Sequence, residues 1–169
     1  LERRDAASEY SEVVITKAKA HFDQMTTDEK AMLQHNITAG LPGANDHWSI
    51  TDVQELLHSY ADITAERLQA NLIDFLSEIT PLAQDLGLRL CCHPDDPPFA
   101  LLGLPRVMSN TNDYEKVLSA VDLSANGATL CTGSLGVAAV FDGPEFVKQH
   151  GPRIHFAHLR NTKRIAGTD

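Results

Sequence analysis

Basic residues are scarce: 14 Lys and Arg stand against 23 Asp and Glu, a formal net charge of -9 over 169 residues. A nucleic-acid surface needs a basic stripe, so that class of partner is excluded. Anionic membrane surfaces are disfavoured for the same reason. A small anionic substrate is not excluded, because one arginine or a metal ion can override the net field locally. Long apolar runs are also missing, and no stretch approaches the length of a membrane span. No signal peptide or lipidation motif is present. Cysteine is sparse: Cys91, Cys92 and Cys131 are odd in number and two of them are adjacent. This is not a disulfide framework, and the simpler reading is a reducing cytoplasm. Internal repeats and low-complexity segments are absent.

What is present divides into a helical part and a mixed part. The chain begins at Leu1 in the charged stretch LERRDAASEY and stops at KRIAGTD, so it is expected to be a piece of something larger. Residues 1–87 read as almost entirely helical. Glu9 to Gln24 carries a rough apolar stripe through Val13, Val14, Ala18, Ala20 and Phe22. Thr26 with Glu29 forms a capping-box pattern for a helix through Asn36, and Ala39-Gly40-Leu41-Pro42-Gly43 breaks it. Ser49 with Asp52 opens a third helix, to about Tyr60. Thr64 caps a long fourth, with Leu68, Leu72, Phe75, Leu76 and Ile79 on one side, a kink at Pro81 and a stop at Gly87.

Three short apolar runs follow: Leu88 to His93, Ala128 to Thr132, and Arg153 to Leu159. Helical stretches separate them, at Asn112–Leu123 and roughly Pro144–Gln149. Strands alternating with helices imply βαβ units and a parallel sheet. Each run ends in a side chain able to bind metal, namely His93, Cys131 and His158. Ligands bind at the carboxyl ends of the strands in parallel α/β sheets and barrels, so the three are expected to converge. Imidazole suits several divalent first-row metals, and a coordinated thiol is held as thiolate. Three protein ligands with open positions describe a catalytic site better than a structural one. In the third run, alternation puts Ile154, Phe156 and His158 on one face, with His155 and Ala157 on the other. His158 is nearer the carboxyl end, which leaves His155 to packing.

Each residue also has an ordinary reading. A lone strand-end histidine is usually a satisfied polar group, and a buried cysteine a small hydrophobe. The juxtaposition of the three is what points to a metal. Around them, Arg160 and Arg106 can grip a carboxylate bidentately. Asp95 and Asp96 can orient hydroxyls or hold a ligand histidine, or serve only as turn residues. Ser134, just after Cys131, is a further candidate for substrate contact.

The motifs LCCHPDDPP, LLGLPR, LCTGSLG and RIHFAHLRN, with NITAGLPGA before them, resemble in order and spacing the mannonate dehydratases of hexuronate catabolism. The resemblance runs from about Asp5 to Arg164. It implies a (β/α)8 TIM barrel similar to xylose isomerase, of which this chain holds about three parallel strands of the C-terminal half. Residues 1–63 would then be a helical insertion and residues 64–169 the partial barrel. It further implies Mn2+ or Fe2+ on His93, Cys131 and His158, and conversion of D-mannonate to 2-keto-3-deoxy-D-gluconate. A fourth ligand, an aspartate, with a catalytic His and Tyr, is expected beyond residue 169. Two other readings stay open. One is a sugar isomerase or epimerase on a similar barrel, where carboxylate-rich metal sites are usual and Cys131 speaks against it. The other is a piece without activity of its own, since open sheet edges promote association. The oligomeric state is not readable, and a homo-oligomer stays open.

Overall fold

The computed structural model describes residues 6–39 and 48–163. The chain separates into two compact units, residues 1–63 with 101–104, and residues 64–100 with 105–169. The first unit holds helices α1 (Glu12–Gln24), α2 (Thr27–Thr38) and α3 (Ile50–Ser59). The Thr26–Glu29 and Ser49–Asp52 capping boxes both form, each satisfying two backbone donors at a helix start. The stretch expected as one helix from Glu9 is instead a short turn, Ala6–Glu9, followed by a fresh start at Glu12. The Ser11 side chain accepts the Val14 N–H there and resets the N-terminus. α2 runs two residues further than expected. Residues 40–43 of the expected break lie outside the described residues.

The second unit begins with α4 (Ala65–Asp85), capped by Thr64, whose side chain accepts the Arg67 N–H. The helix runs through Pro81 without interruption. It ends as the glycine foretells. Gly87 takes φ 68°, its N–H reaches the Gln84 carbonyl at 3.0 Å, and the Leu88 N–H reaches that of Ala83 at 2.8 Å. This Schellman pattern uses Leu88 as part of the helix stop. The first strand is therefore shorter than its apolar run: β1 is Leu90–Cys92. Phe75 is 57% exposed, because a 100° step from Leu76 carries it off the buried stripe.

α5 (Thr111–Ala120), β2 (Asn126–Cys131), α6 (Gly143–His150) and β3 (Ile154–His158) complete the unit. The three strands form one parallel sheet in the order β1-β2-β3, the α/β pattern expected. Leu76 of α4, Tyr114, Val117 and Leu118 of α5 and Phe146 of α6 bury one sheet face, against Ala128 and Leu130 with Leu90, Cys92 and Ile154 at the margin. Burying each of these large apolar side chains contributes about 1.5–3 kcal/mol. Tyr114 meets Phe146 edge to face at 5.1 Å, and its hydroxyl donates to the carbonyls of Cys92 and Thr129. One buried ring thus ties α5 to β1 and β2.

The β2–β3 register shifts once. Ala128 pairs with Ile154, but Thr129 pairs with Phe156, Leu130 with Ala157 and Cys131 with His158. His155 is the extra residue, and the strict alternation expected along β3 does not hold. Ile154 belongs with Ala128 on the helix-covered face, whereas Phe156 and His158 belong with Thr129 and Cys131 on the other. The His155 ring crosses over β2, and its Nδ1 pairs with the Leu90 carbonyl of β1 at 2.7 Å. Gly127 makes that crossing open: a Cβ there would run into His155 Nδ1 and the Arg153 carbonyl. His155 is thus a hydrogen-bonded bridge across the sheet as well as a packing residue.

His150, at the end of α6, is only 4% exposed, and its Nε2 has no partner among the described residues. Its ring packs on Phe146 at 4.8 Å, with Glu115 4.0 Å from Nδ1. Burial lowers its affinity for a proton below the ordinary value of 6.5, with Arg153 adding to this and Glu115 opposing it. The unfolded chain then binds more protons than the folded one as pH falls through about 6.5, so folding loses stability in that direction. A His150→Phe variant should lack this loss. The wild-type minus variant unfolding free energy, measured by urea melts from pH 8 to 5, is expected to fall through that window. A flat difference would contradict the assignment.

Candidate metal centre

Parallel pairing places the carboxyl ends of β1, β2 and β3 on one rim. His93 follows β1 directly, Cys131 ends β2 and His158 ends β3. One ligand atom from each lies within 4.8 Å of the others. The two imidazole rings stand 5.9 Å apart between centroids. His93 Nδ1 is engaged by the Pro94 carbonyl at 2.7 Å. Donation from Nδ1 leaves Nε2 as the metal-competent atom and fixes the ring. Cys131 Sγ and His158 Nδ1 are 3.6 Å apart. An ion bonded to sulfur at about 2.3 Å and to nitrogen at about 2.1 Å, at a tetrahedral angle, holds those two atoms about 3.6 Å apart. The Cys131–His158 spacing is therefore one that a single divalent ion can bridge, and the donor set suits such an ion chemically.

The surroundings of the sulfur fit as well. Cys131 is fully buried, and the Ser134 N–H and hydroxyl both donate to Sγ at 3.3 Å. Two donors aimed at one sulfur suit a negatively charged ligand. Cys92 is a different kind of cysteine. Its side chain packs against the helix-covered core, and burial, with Asp95 and Cys91 adding, pushes its thiol up to about 11. Cys91 lies on the opposite face and is exposed.

The residues expected to touch substrate separate into two groups. Arg160 Nη2 pairs with Asp96 at 2.6 Å and with Ser134 Oγ at 3.2 Å. The arginine's hydrogen bond holds the Asp96 carboxyl below its ordinary value, and Asp96 in turn raises the guanidinium. Asp95, by contrast, turns into its own loop. Its Oδ2 accepts from the N–H groups of Val107 and Met108 at 2.8 and 2.7 Å and from Ser109 Oγ at 3.1 Å. Arg106 Nε donates to the Phe99 carbonyl at 3.0 Å, within the same loop region. Asp95 and Arg106 therefore shape the wall that follows His93, while Arg160, Asp96 and Ser134 adjoin the ligand cluster. Ser134 is fully buried, with its proton directed at sulfur, which does not present it to a substrate.

Two positions escaped the sequence reading. Thr132 Oγ1 donates to the Arg160 carbonyl at 2.7 Å and accepts the Arg160 N–H at 3.0 Å, anchoring that residue's backbone. Gly133 lies under the Arg160 side chain, where a Cβ would collide with Nε. The signal for both was the CTGS string itself, whose middle residues carry no chemistry suggestive of a ligand.

A family model described as D-mannonate dehydratase (UxuA) matches residues 6–169. The chain is 47% identical over 164 residues to a mannonate dehydratase of Rhizobium meliloti (strain 1021), covering 97% of this chain and 41% of that relative. It is 48% identical over 168 residues to mannonate dehydratase 1 of Agrobacterium fabrum, covering 99% of this chain and 42% of the relative. It also resembles the crystal structure of mannonate dehydratase from Streptococcus suis serotype 2, at 31% identity and TM-score 0.62, over 68% of this chain and 34% of that one. The chain spans about two fifths of the length of these curated relatives.

The Asp95 carboxylate makes a direct prediction. Hydrogen bonds to a charged group are worth about 1.5–3 kcal/mol, so Asp95→Ala should speed amide exchange at Val107 and Met108 by roughly ten- to a hundred-fold. Protection unchanged at both amides would show that the loop is held by something else.

Proposed function

Because this chain belongs to the mannonate dehydratase family, we propose that the protein eliminates water from D-mannonate to give 2-keto-3-deoxy-D-gluconate in hexuronate catabolism. His93, Cys131 and His158 would hold a Mn2+ or Fe2+ ion, since imidazole and thiolate serve either. The observation that carries the reading is the convergence of these three donors from three parallel strand ends, within 4.8 Å of one another. An ion held there would supply Lewis acidity, offsetting negative charge as the C2 proton leaves.

The chain's own residues bind and orient. Arg160 spends Nη2 on Asp96 and Ser134, and its Nη1 makes no hydrogen bond among the described residues. On this reading that group takes the substrate carboxylate, with Asp96 fixing the plane of the guanidinium. Local positive charge of this kind lets an acidic chain accept an acidic substrate. The loop stapled by Asp95 keeps the residues after His93 in place. Elimination also needs a base for the C2 proton and an acid for the departing C3 hydroxyl. On this proposal both come from the part of the family's length that this chain does not span, as does a fourth, aspartate ligand. Residues 1–63 are read as the helical insertion and residues 64–169 as part of the barrel. The cysteines are all free, which fits a cytoplasmic enzyme. No described helix is long and apolar enough to cross a membrane.

The test uses the protein in the longest form its gene encodes. Cys131→Ala and His158→Ala should each abolish bound Mn2+ or Fe2+ by elemental analysis, together with keto-deoxy acid formation from D-mannonate. Unchanged metal content and turnover in both variants would rule the proposal out. A product retaining all the oxygen of mannonate would point instead to an isomerase.

A further inference from the structure

One side chain joins the loops that follow all three strands. Arg160 starts beyond β3, passes over Gly133 in the loop after β2, and ends between Asp96, in the loop after β1, and Ser134. The contact continues inward. Arg160 Nη2 donates to Ser134 Oγ at 3.2 Å, and Ser134 Oγ donates to Cys131 Sγ at 3.3 Å. Both Ser134 and Cys131 are fully buried, so water does not compete for the bond between them.

We propose that Ser134, polarised by Arg160, is a positioning residue that sets how strongly the Cys131 sulfur donates to its ion. This deepens, and rests on, the reading of the cluster as a metal centre. A hydroxyl that accepts from a cation becomes a better donor, so the bond to sulfur is stronger than an isolated Ser–Cys contact. The backbone N–H of Ser134, also 3.3 Å from Sγ, adds a second donor from the same residue. Sulfur that accepts two hydrogen bonds cedes less charge to the ion. The ion then keeps more of its acceptor strength for whatever occupies its open positions. The geometry also gives Arg160 a second role. Besides the binding role proposed above, it holds the serine hydroxyl in the rotamer that faces sulfur, and Asp96 and Thr132 anchor it at its two ends.

The experiment loads the protein, in the longest form its gene encodes, with Co2+ and reads the near-ultraviolet sulfur-to-cobalt charge-transfer band. Loss of a hydrogen bond raises the energy of the sulfur lone pairs, which moves the band to longer wavelength. Ser134→Ala should show that shift, because sulfur left with one hydrogen bond donates more strongly to the ion. Ser134→Thr keeps the hydroxyl and should return the band close to its wild-type position. Arg160→Gln should shift the band in the same sense by less, and should add nothing in a Ser134→Ala background, because the two act through one bond. A wild-type band with no shift in Ser134→Ala overturns the inference and leaves the metal centre standing. Should Ser134→Ala not fold, an unshifted band in Arg160→Gln overturns it instead. A wild type that takes up Co2+ without any sulfur-to-cobalt band overturns the metal reading itself.

Discussion

The pairing of Cys131 with His158 across β2 and β3 is the contact on which the site depends. Parallel strands deliver their carboxyl ends to one rim, but only register decides which side chains share a face. Here the register is offset by one residue at His155, so that His158, and not its neighbour, lies beside Cys131. A bulge of this kind re-aims a strand end next to a functional site. It is held in turn by a specific device: the His155 ring crosses the bare backbone at Gly127 to reach the Leu90 carbonyl. The first strand is thereby locked to the third over the second, and His93 follows from β1 at a fixed distance.

The two faces of the sheet have different work. One is filled by Tyr114, Phe146, Leu76 and their neighbours, with Tyr114 tying its helix to two strand carbonyls. This packing makes the sheet a rigid platform, and sites on rigid elements hold their geometry better than sites on loops. The loops beyond the strand ends then carry the polar network. Asp95 fixes the wall after His93, Thr132 anchors the Arg160 backbone, and Arg160 spans from Asp96 to Ser134. His93, Cys131 and His158 thus lie within three residues of the side chains that brace their loops, a compact arrangement that explains the density of motif residues in HPDDPP, CTGS and HLRN.

Much of this was legible in the residues. Capping boxes and the Gly87 stop follow from local backbone chemistry, so sequence alone placed those helix ends within a residue or two. The convergence of His93, Cys131 and His158 was legible because strand ends in a parallel sheet meet whatever the details between them. The bulge was not legible: a strand read by itself is taken to alternate residue by residue, and only pairing with β2 reveals the extra residue. Adjacent Asp95 and Asp96 were equally opaque, since one staples its loop and the other meets Arg160, a choice made by tertiary geometry. The merger of Leu88 into the first strand failed for a local reason, because its N–H closes the preceding helix. Gly127 and Gly133 gave no signal of their own; each matters for the side chain that passes over it.

In the proposed metal centre, two imidazoles and one thiolate from three strands share a single ion. X-ray absorption at the metal edge of the Mn2+- or Fe2+-loaded protein tests it most directly. One sulfur scatterer is expected beyond a shell of nitrogen and oxygen, with the multiple-scattering signature of imidazole, and the sulfur shell should vanish in Cys131→Ser. A loaded protein whose metal sees only light-atom neighbours would contradict it.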